Sequence, residues 1–247
     1  MVVYTPPGYE QERGRAFPVL YMQDGQNLFD PATAFCNQDW QLGQRLDGLI
    51  EEGRAEPLIV VGIYNARERR IHEYTHVRNR RGEGGGAPMY ARFLVTELKP
   101  FIDSEYRTLR DAGNTGLGGS SLGGLVTLYM GLRFPTVFGR LAVMSPSVWW
   151  ASKAILRRVR KPVGNQKIWL DVGTNEGSDP AGCLANAREL KDVLVARGWT
   201  LGQHLQYVEK EGGTHCEHAW GARIRHALEF LFPACASGTR KQANPLE

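Results

Sequence analysis

The stretch GLGGSSLGGLVTLYM, residues 116–130, places two serines between two pairs of glycines and continues into an apolar run. Gly119, Ser121 and Gly123 fit the pattern Gly-x-Ser-x-Gly, in which a serine lies in a tight turn between a strand and a helix. Small neighbours are needed because the backbone of that serine is strained and larger side chains would clash. A strand is predicted around residues 115–119 and a helix from 121 to 133, so the segment is expected to expose the Ser121 hydroxyl rather than to serve as a flexible linker.

Strand-like and helical segments alternate along the chain, which is typical of an α/β fold with a mostly parallel sheet. Short apolar runs in residues 17–25 and 57–65 predict two strands, and Leu42, Leu46 and Leu49 follow helical spacing between them. Further strands are predicted within 139–147, 166–173 and 204–212, and further helices within 89–106, 183–198 and 218–232. Because there is no internal repeat and no long linker, residues 1–235 are expected to form one catalytic domain, followed by a disordered tail at 236–247.

A nucleophilic serine needs a base, and the base needs an acid that orients it. With this turn motif, the acid and then the histidine follow the serine along the chain. His215 lies between a predicted strand and the last helix, where the active sites of α/β folds assemble. His218 is the rival base, although it would occupy the first turn of that helix. His204 begins a strand and His226 falls inside the helix, so structural or exposed positions are expected for both.

The acid is sought in the segment WLDVGTNEGSDP, residues 169–180. Glu176 lies just beyond the end of a predicted strand, where a loop can bring it to His215, and it is the preferred acid. Asp179 is the alternative, although Ser-Asp-Pro is also typical of a helix N-cap. Asp171 lies within the strand and is expected to form a hydrogen bond at the end of the sheet.

Two further features are expected near Ser121. An oxyanion hole requires two backbone N–H groups, and the residue after the nucleophile, Leu122, is expected to supply one of them. The turn after the first long strand would supply the other, from Gln26 or Gly25. Trp149 and Trp150 follow a later strand and are expected either to form an aromatic wall for substrate or to pack in the core.

The chain resembles the "putative esterase" family of the α/β-hydrolases, which includes esterase D and enterochelin-esterase-like proteins. The matching segments, in order, are VVYTPPGYE, VLYMQDGQNLF, LIVVGIYN, HEYT, ELKPFIDSEYRT, GGSSLGG, MSPSVWW, DVGTNEG and GGTHCEHAW. The resemblance implies the α/β-hydrolase fold, with helices on both faces of a mostly parallel central sheet. It also implies a serine carboxylic-ester hydrolase that forms an acyl-enzyme on short-chain or aryl esters, with Ser121, His215 and Glu176 as the catalytic residues and neither a metal nor another cofactor.

Two points leave alternatives open within this resemblance. The family also contains feruloyl, acetyl-xylan, siderophore and S-formylglutathione esterases, as well as acyltransferases that use the same triad. Glutamate stands at residue 176 where aspartate is commoner in the family.

The composition of the chain limits the classes of partner that it is expected to bind. The chain has 247 residues, a net charge of +4 and no apolar run near the roughly 18 residues that a membrane span needs. The arginine-rich stretch 65–86 is interrupted by acids and glycines, so a solvated surface loop is expected rather than a nucleic-acid site. The expected partner is a small-molecule ester, without nucleic acid or membrane, and a homo-oligomer is left open.

Cysteine usage and the N-terminus predict a cytoplasmic location. Cys36, Cys183, Cys216 and Cys235 lie far apart and lack metal-ligand spacing, which predicts free thiols. The first residues show neither the basic nor the apolar segment of a secretory signal.

Overall fold

The central feature of the computed structural model, which describes residues 1–234, is one seven-stranded sheet. Strands β2 to β7 run parallel, and β1 is antiparallel to its neighbour β3. The order across the sheet is β1-β3-β2-β4-β5-β6-β7. The strands are β1 Val2–Tyr4, β2 Val19–Gln23, β3 Ile59–Ile63, β4 Thr115–Ser120, β5 Arg140–Met144, β6 Lys167–Gly173 and β7 Leu205–Lys210.

Eight α-helices connect or flank these strands in the described part of the chain. The predicted helix at 89–106 is interrupted by a wider, π-helical stretch at Leu94–Leu98, and Pro100 lies in the first turn of the helix that follows. The helices are α1 Leu42–Glu51, α2 Arg70–Tyr74, α3 Ala87–Phe93, α4 Lys99–Glu105, α5 Leu122–Arg133, α6 Trp150–Lys153, α7 Pro180–Ala196 and α8 Glu217–Leu231.

Helices cover both faces of the sheet because successive strand residues point to opposite sides. Leu20 and Met22 of β2 pack with the leucines of α1 and the apolar side of α8. Val19 and Tyr21 point to the other face, into a cluster formed with α3, α4, α5 and α7. The predicted α/β class, the mostly parallel sheet and the helices on both faces are therefore confirmed.

Three elements were not predicted from the sequence: the edge strand β1, the short helix α6, and α2, which lies inside the arginine-rich stretch 65–86. The prediction of a solvated loop there is wrong in part, because Arg70 forms an ion pair with Asp24, and Tyr74 is fully buried. The tail predicted at 236–247 lies outside the described residues. None of the helices within residues 1–234 has the length and apolar character needed to cross a bilayer.

The parallel arrangement brings several loops to one edge of the sheet. Residues that follow the carboxyl ends of parallel strands meet at the same edge, where α/β proteins bind their ligands. Gln26 follows β2, Ser121 follows β4, Glu176 follows β6 and His215 follows β7. The sheet therefore places these four predicted site residues on one side of the molecule.

Candidate active site

Ser121, His215 and Glu176 meet in an unbroken line of hydrogen bonds. The Nε2 atom of His215 lies 3.0 Å from Ser121 Oγ, and its Nδ1 atom lies 2.9 Å from Glu176 Oε2. Glu176 is buried, whereas the side chain of His215 is 33% exposed. The three residues proposed from the sequence are thus brought together, with one end of the line accessible to solvent.

The backbone at Ser121 is strained. Its φ of 57° and ψ of −122° place it between β4 and α5 in a conformation that non-glycine residues rarely adopt. The Ser121 N–H donates to the carbonyl oxygen of Met144 at the end of β5, over 3.0 Å. A Cβ at Gly119 would lie 2.9 Å from both Gln23 Cβ and the Gly123 carbonyl, so a side chain at Gly119 would force the turn apart.

Glu176 is held from several directions. Its Oε1 atom accepts hydrogen bonds from the Gly173 N–H at 2.7 Å, from Arg223 Nη2 at 3.2 Å and from the Ser145 hydroxyl. Burial alone would raise the pKa of Glu176, but the hydrogen bonds from His215, Ser145 and the Gly173 N–H lower it below its ordinary value. The carboxylate that faces His215 is therefore kept ionised and fixed in position.

A second buried carboxylate lies behind Glu176. Asp171 accepts a hydrogen bond from Trp169 Nε1 at 2.8 Å, and its Oδ1 atom lies 3.2 Å from Arg223 Nη2. Complete burial raises the pKa of Asp171, although the charge of Arg223 acts in the opposite direction. Asp171 therefore forms a hydrogen bond toward the end of the sheet, as expected from its place in the strand.

Sequence reasoning did not find Ser145 or Arg223. Ser145 directly follows β5, and its hydroxyl oxygen accepts hydrogen bonds from Trp220 Nε1 and Arg223 Nη2. The one sequence signal for Arg223 is its spacing on α8, where it falls on the apolar side next to Ile224. No spacing rule links it to Glu176, because the two residues meet only when α8 packs under β6.

The rival residues make other contacts. Asp179 Oδ1 accepts a hydrogen bond from the Gly182 N–H at 2.9 Å, so it caps the start of α7, as its Ser-Asp-Pro context indicates. His218 is exposed on the first turn of α8, and His226 is exposed beside Glu229 on the same helix. The line of hydrogen bonds at Ser121 includes none of them.

The turn after β2 lies against β3. A Cβ at Gly25 would be 2.2 Å from the carbonyl carbon of Gly62, so only glycine allows this close approach. The turn is also held through Asp24, whose carboxylate accepts two hydrogen bonds from Arg70, of 2.7 and 2.8 Å. Gln26, the next residue, therefore has a fixed position at the edge of the site.

Leu122 and Gln26 are the residues predicted to supply the N–H groups of the oxyanion hole. Leu122 is the first residue of α5, where the N–H groups have no partner within the helix. Within residues 1–234, the N–H groups of Gln26 and Leu122 donate no hydrogen bond to another residue. Leu122 directly follows Ser121, and Gln26 lines a cavity that Ser121 also lines.

Residues 1–231 match the family described as "Putative esterase". The chain belongs to this esterase family. It is a carboxylic ester hydrolase, and the resemblance inferred from its sequence segments is confirmed.

Individual relatives agree with this membership. A Bacillus subtilis protein, "Uncharacterized protein YbbA", is 28% identical over 242 residues, which cover 93% of this chain and 91% of the relative. The "Ferri-bacillibactin esterase BesA" of the same organism is 28% identical over 81% of this chain and 73% of its own. The "Endo-1,4-beta-xylanase/feruloyl esterase" of Xylanibacter ruminicola is 29% identical over 93% of this chain but only 29% of its own length.

The fold is also found in solved structures. The crystal structure of the BES protein from Bacillus cereus superposes with a TM-score of 0.73 at 22% identity, covering 93% of this chain and 87% of its own. This likeness supports the α/β-hydrolase fold of the esterase.

Two cavities open beside Ser121 and His215 of the esterase. The first, here named the Trp149 cavity, has a volume of about 360 Å³, and Pro146, Trp149 and Val172 form its apolar part. The second, named the Gln26 cavity, has a volume of about 320 Å³; Phe35 and Trp220 line it together with polar residues that include Gln26, Asn27, Asn65 and Glu217. A substrate bound across Ser121 can therefore extend one part into each cavity.

The two adjacent tryptophans differ. Trp149 is 54% exposed and lines the Trp149 cavity. Trp150 is only 4% exposed, lines neither cavity and donates from Nε1 to the Val77 carbonyl oxygen at 2.8 Å. The expectation of a substrate contact is therefore corrected for Trp150, which packs in the core.

The cysteines and acidic groups of the described residues, 1–234, are not arranged as a metal site. Cys36, Cys183 and Cys216 are free thiols, as predicted, and Cys235 lies beyond the described residues. Within residues 1–234, no group of three or more His, Cys, Asp or Glu side chains could hold a metal ion.

Proposed function

We propose that the esterase hydrolyses short-chain or aryl esters through an acyl-enzyme, with Ser121 as nucleophile, His215 as base and Glu176 as the orienting acid. The observation that carries this proposal is the line from Ser121 Oγ through both ring nitrogens of His215 to Glu176 Oε2, with links of 3.0 and 2.9 Å. Nucleophile, base and acid within hydrogen-bond reach of one another are the arrangement that serine acyl transfer requires.

The first step forms the acyl-enzyme. With its proton on Nδ1, His215 donates to Glu176, and its Nε2 atom accepts the proton of the Ser121 hydroxyl as the oxygen attacks the ester carbonyl. Glu176 stabilises the imidazolium that results, because its lowered pKa keeps it ionised. His215 then gives the proton to the departing alcohol, and the C–O bond of the ester breaks.

The second step releases the acid. A water molecule takes the place of the alcohol and transfers a proton to His215 as it attacks the acyl carbon on Ser121. The bond between that carbon and Ser121 Oγ then breaks, and His215 returns the proton to the Ser121 oxygen. In both steps the carbonyl oxygen becomes an oxyanion, and the N–H groups of Leu122 and Gln26 stabilise it. Each such donor contributes about 2.7–4 kcal/mol in well-studied acyl-transfer sites.

The substrate class follows from the Trp149 cavity and from the relatives. The exposed Trp149 side chain lines this cavity with Pro146 and Val172, and such an apolar lining suits a flat aromatic or short aliphatic group. One relative is named a feruloyl esterase and another a ferri-bacillibactin esterase, so both names describe proteins that act on esters. The expected partner of the chain is therefore a small-molecule ester.

Replacement of the nucleophile tests the proposal. Ser121→Ala should lower kcat on p-nitrophenyl acetate, p-nitrophenyl butyrate and methyl ferulate by about 10³-fold or more, because no covalent intermediate forms. Ser104→Ala, on the exposed surface of α4, is the matched control and should keep full activity. Hydrolysis by Ser121→Ala at the rate of the unmodified chain would refute the triad. Mass spectrometry after rapid acid quench should detect an acyl adduct that the variant lacks.

A further inference from the structure

The side chains around Ser121 carry more negative than positive charge. Glu176 and Asp179 line the Trp149 cavity, and Asp24 and Glu217 line the Gln26 cavity. Among the described residues, Arg70 is the one lysine or arginine that lines either cavity. Any group that a substrate brings to Ser121 therefore meets carboxylates on both sides.

The guanidinium of Arg70 is not available to an anionic substrate. It binds the Asp24 carboxylate through two hydrogen bonds, Nε to Oδ1 and Nη2 to Oδ2, and its side chain is only 26% exposed. Paired contacts of this kind are among the stronger hydrogen bonds in proteins. The charge of Asp24 and the charge of Arg70 consequently balance each other.

Glu217 is the carboxylate in the Gln26 cavity that lacks such a cation. Its Oε1 atom accepts a hydrogen bond of 3.1 Å from Asn27 Nδ2, and no ion pair within residues 1–234 includes it. Burial and the nearby charge of Asp24 raise the pKa of Glu217, whereas the charges of His215 and Arg70 act in the opposite direction. Glu217 thus leaves an unbalanced negative charge beside His215, which lines the same cavity.

The net charge of the whole chain has the opposite sign to the charge around Ser121. The net charge is +4, which taken alone would favour anionic partners. Part of the excess lies at the far end of α5 from Ser121, where Arg133, Arg158 and Arg160 line a separate cleft. The site is therefore acidic on a chain that is basic overall.

Resting on the proposed function, we propose that the substrate is an ester whose acyl and alcohol parts are both uncharged or cationic, and that Glu217 determines this specificity for the part that enters the Gln26 cavity. A like charge in a partly desolvated cavity raises the free energy of the bound ester and of its transition state, so kcat/KM falls. The conclusion does not depend on which part of the ester enters which cavity, because each cavity contains carboxylates.

Matched pairs of esters test the proposal. Phenyl acetate and 3-acetoxybenzoate differ by a carboxylate on the alcohol part, and methyl butyrate and monomethyl succinate differ by one on the acyl part. For the unmodified chain, kcat/KM at pH 7.5 should be about tenfold or more lower for the anionic member of each pair. Equal values within both pairs would overturn the proposal.

Two variants assign the effect to Glu217. Glu217→Gln should raise the ratio of anionic to neutral kcat/KM about tenfold in at least one pair, because it removes the charge and keeps the shape. Glu217→Asp keeps the charge and should keep the discrimination. The control Glu51→Gln removes the same charge from the exposed end of α1 and should leave both ratios unchanged. Unchanged ratios in Glu217→Gln would remove Glu217 from the assignment.

The outcomes separate this proposal from the one on which it rests. If the neutral esters show no Ser121-dependent hydrolysis, the proposed function fails and this specificity fails with it. If the neutral esters are hydrolysed and the anionic ones equally well, only the specificity fails. Thermal midpoints of the variants, measured by circular dichroism, show whether each is folded.

Discussion

Glu176 is expected to contribute both to catalysis and to the stability of the folded chain. Glu176→Gln keeps the size of the side chain but replaces one oxygen with an amide that can donate to His215 and favour the wrong tautomer. We expect kcat on p-nitrophenyl acetate to fall by about 10²–10⁴-fold, as when a triad carboxylate is replaced by its amide. Steady-state kinetics at pH 7.5 measure this. A variant within threefold of the original kcat would mean that another group orients His215.

The same substitution should change how stability depends on pH. Because folding lowers the pKa of Glu176, its ionised form stabilises the folded state above the ordinary carboxyl pKa, and this contribution disappears as the pH falls through the lowered value. The difference in free energy of unfolding between the original chain and Glu176→Gln should be about 2 kcal/mol at pH 7 and should shrink below about pH 4. Urea denaturation at pH 7, 5, 4 and 3 measures it. A difference that does not change with pH would contradict the ionised, hydrogen-bonded carboxylate.

Single residues show where prediction from the sequence succeeds and where it stops. Ser121 and His215 could be located because the glycine pattern and the ends of strands limit the choice. The roles of Ser145 and Arg223 could not be predicted, because their contacts with Glu176 depend on how α8 packs against the sheet. Trp149 and Trp150 are adjacent and chemically identical, so only the local backbone decides which one faces the cavity.

The turn Gly25–Asn27 gives a prediction at the scale of elements. Gly25→Ala should push the turn away from β3, because the new methyl group would lie 2.2 Å from backbone carbon of Gly62. We expect a loss of about 1–3 kcal/mol in the free energy of unfolding, together with a lower kcat as the Gln26 N–H moves away from Ser121. Denaturant titrations and ester kinetics on the same samples measure both.

A glycine in an open position provides the control for this element. Gly48 on α1 has no atom within 4 Å of the place where a Cβ would be added. Gly48→Ala should therefore keep full activity and gain up to about 1 kcal/mol, since alanine favours the helix. If Gly25→Ala behaved like Gly48→Ala, the turn would not be held by its contact with β3.

Strands and helices that carry a clear apolar pattern of their own could be predicted from the sequence. β2, β3 and β5 are buried apolar runs, and α1 carries its leucines at helical spacing, so each was recognised from sequence. β1 has only three residues and depends on β3 for its hydrogen bonds. α2 lies among arginines, and its position depends on Tyr74, whose hydroxyl oxygen accepts a hydrogen bond from the Asp24 N–H.

At the scale of the whole molecule, one sheet joins two apolar clusters. The cluster with α1 and α8 and the cluster with α5 and α7 lie on opposite faces of the same strands. Both clusters must therefore lose the surface against which they pack when the sheet unfolds. This arrangement supports the prediction that the residues before the tail form one domain, and it can be tested by unfolding.

Substitutions on opposite faces of the sheet should shift one common transition. Leu46→Ala on α1 and Leu128→Ala on α5 each remove a fully buried side chain, at an expected cost of about 2–5 kcal/mol. In urea, tryptophan fluorescence and far-ultraviolet circular dichroism should report the same midpoint for each variant, and both midpoints should lie below that of the original chain. Two separate transitions, with each variant shifting only one of them, would mean that the two faces unfold independently and that the sheet does not couple them.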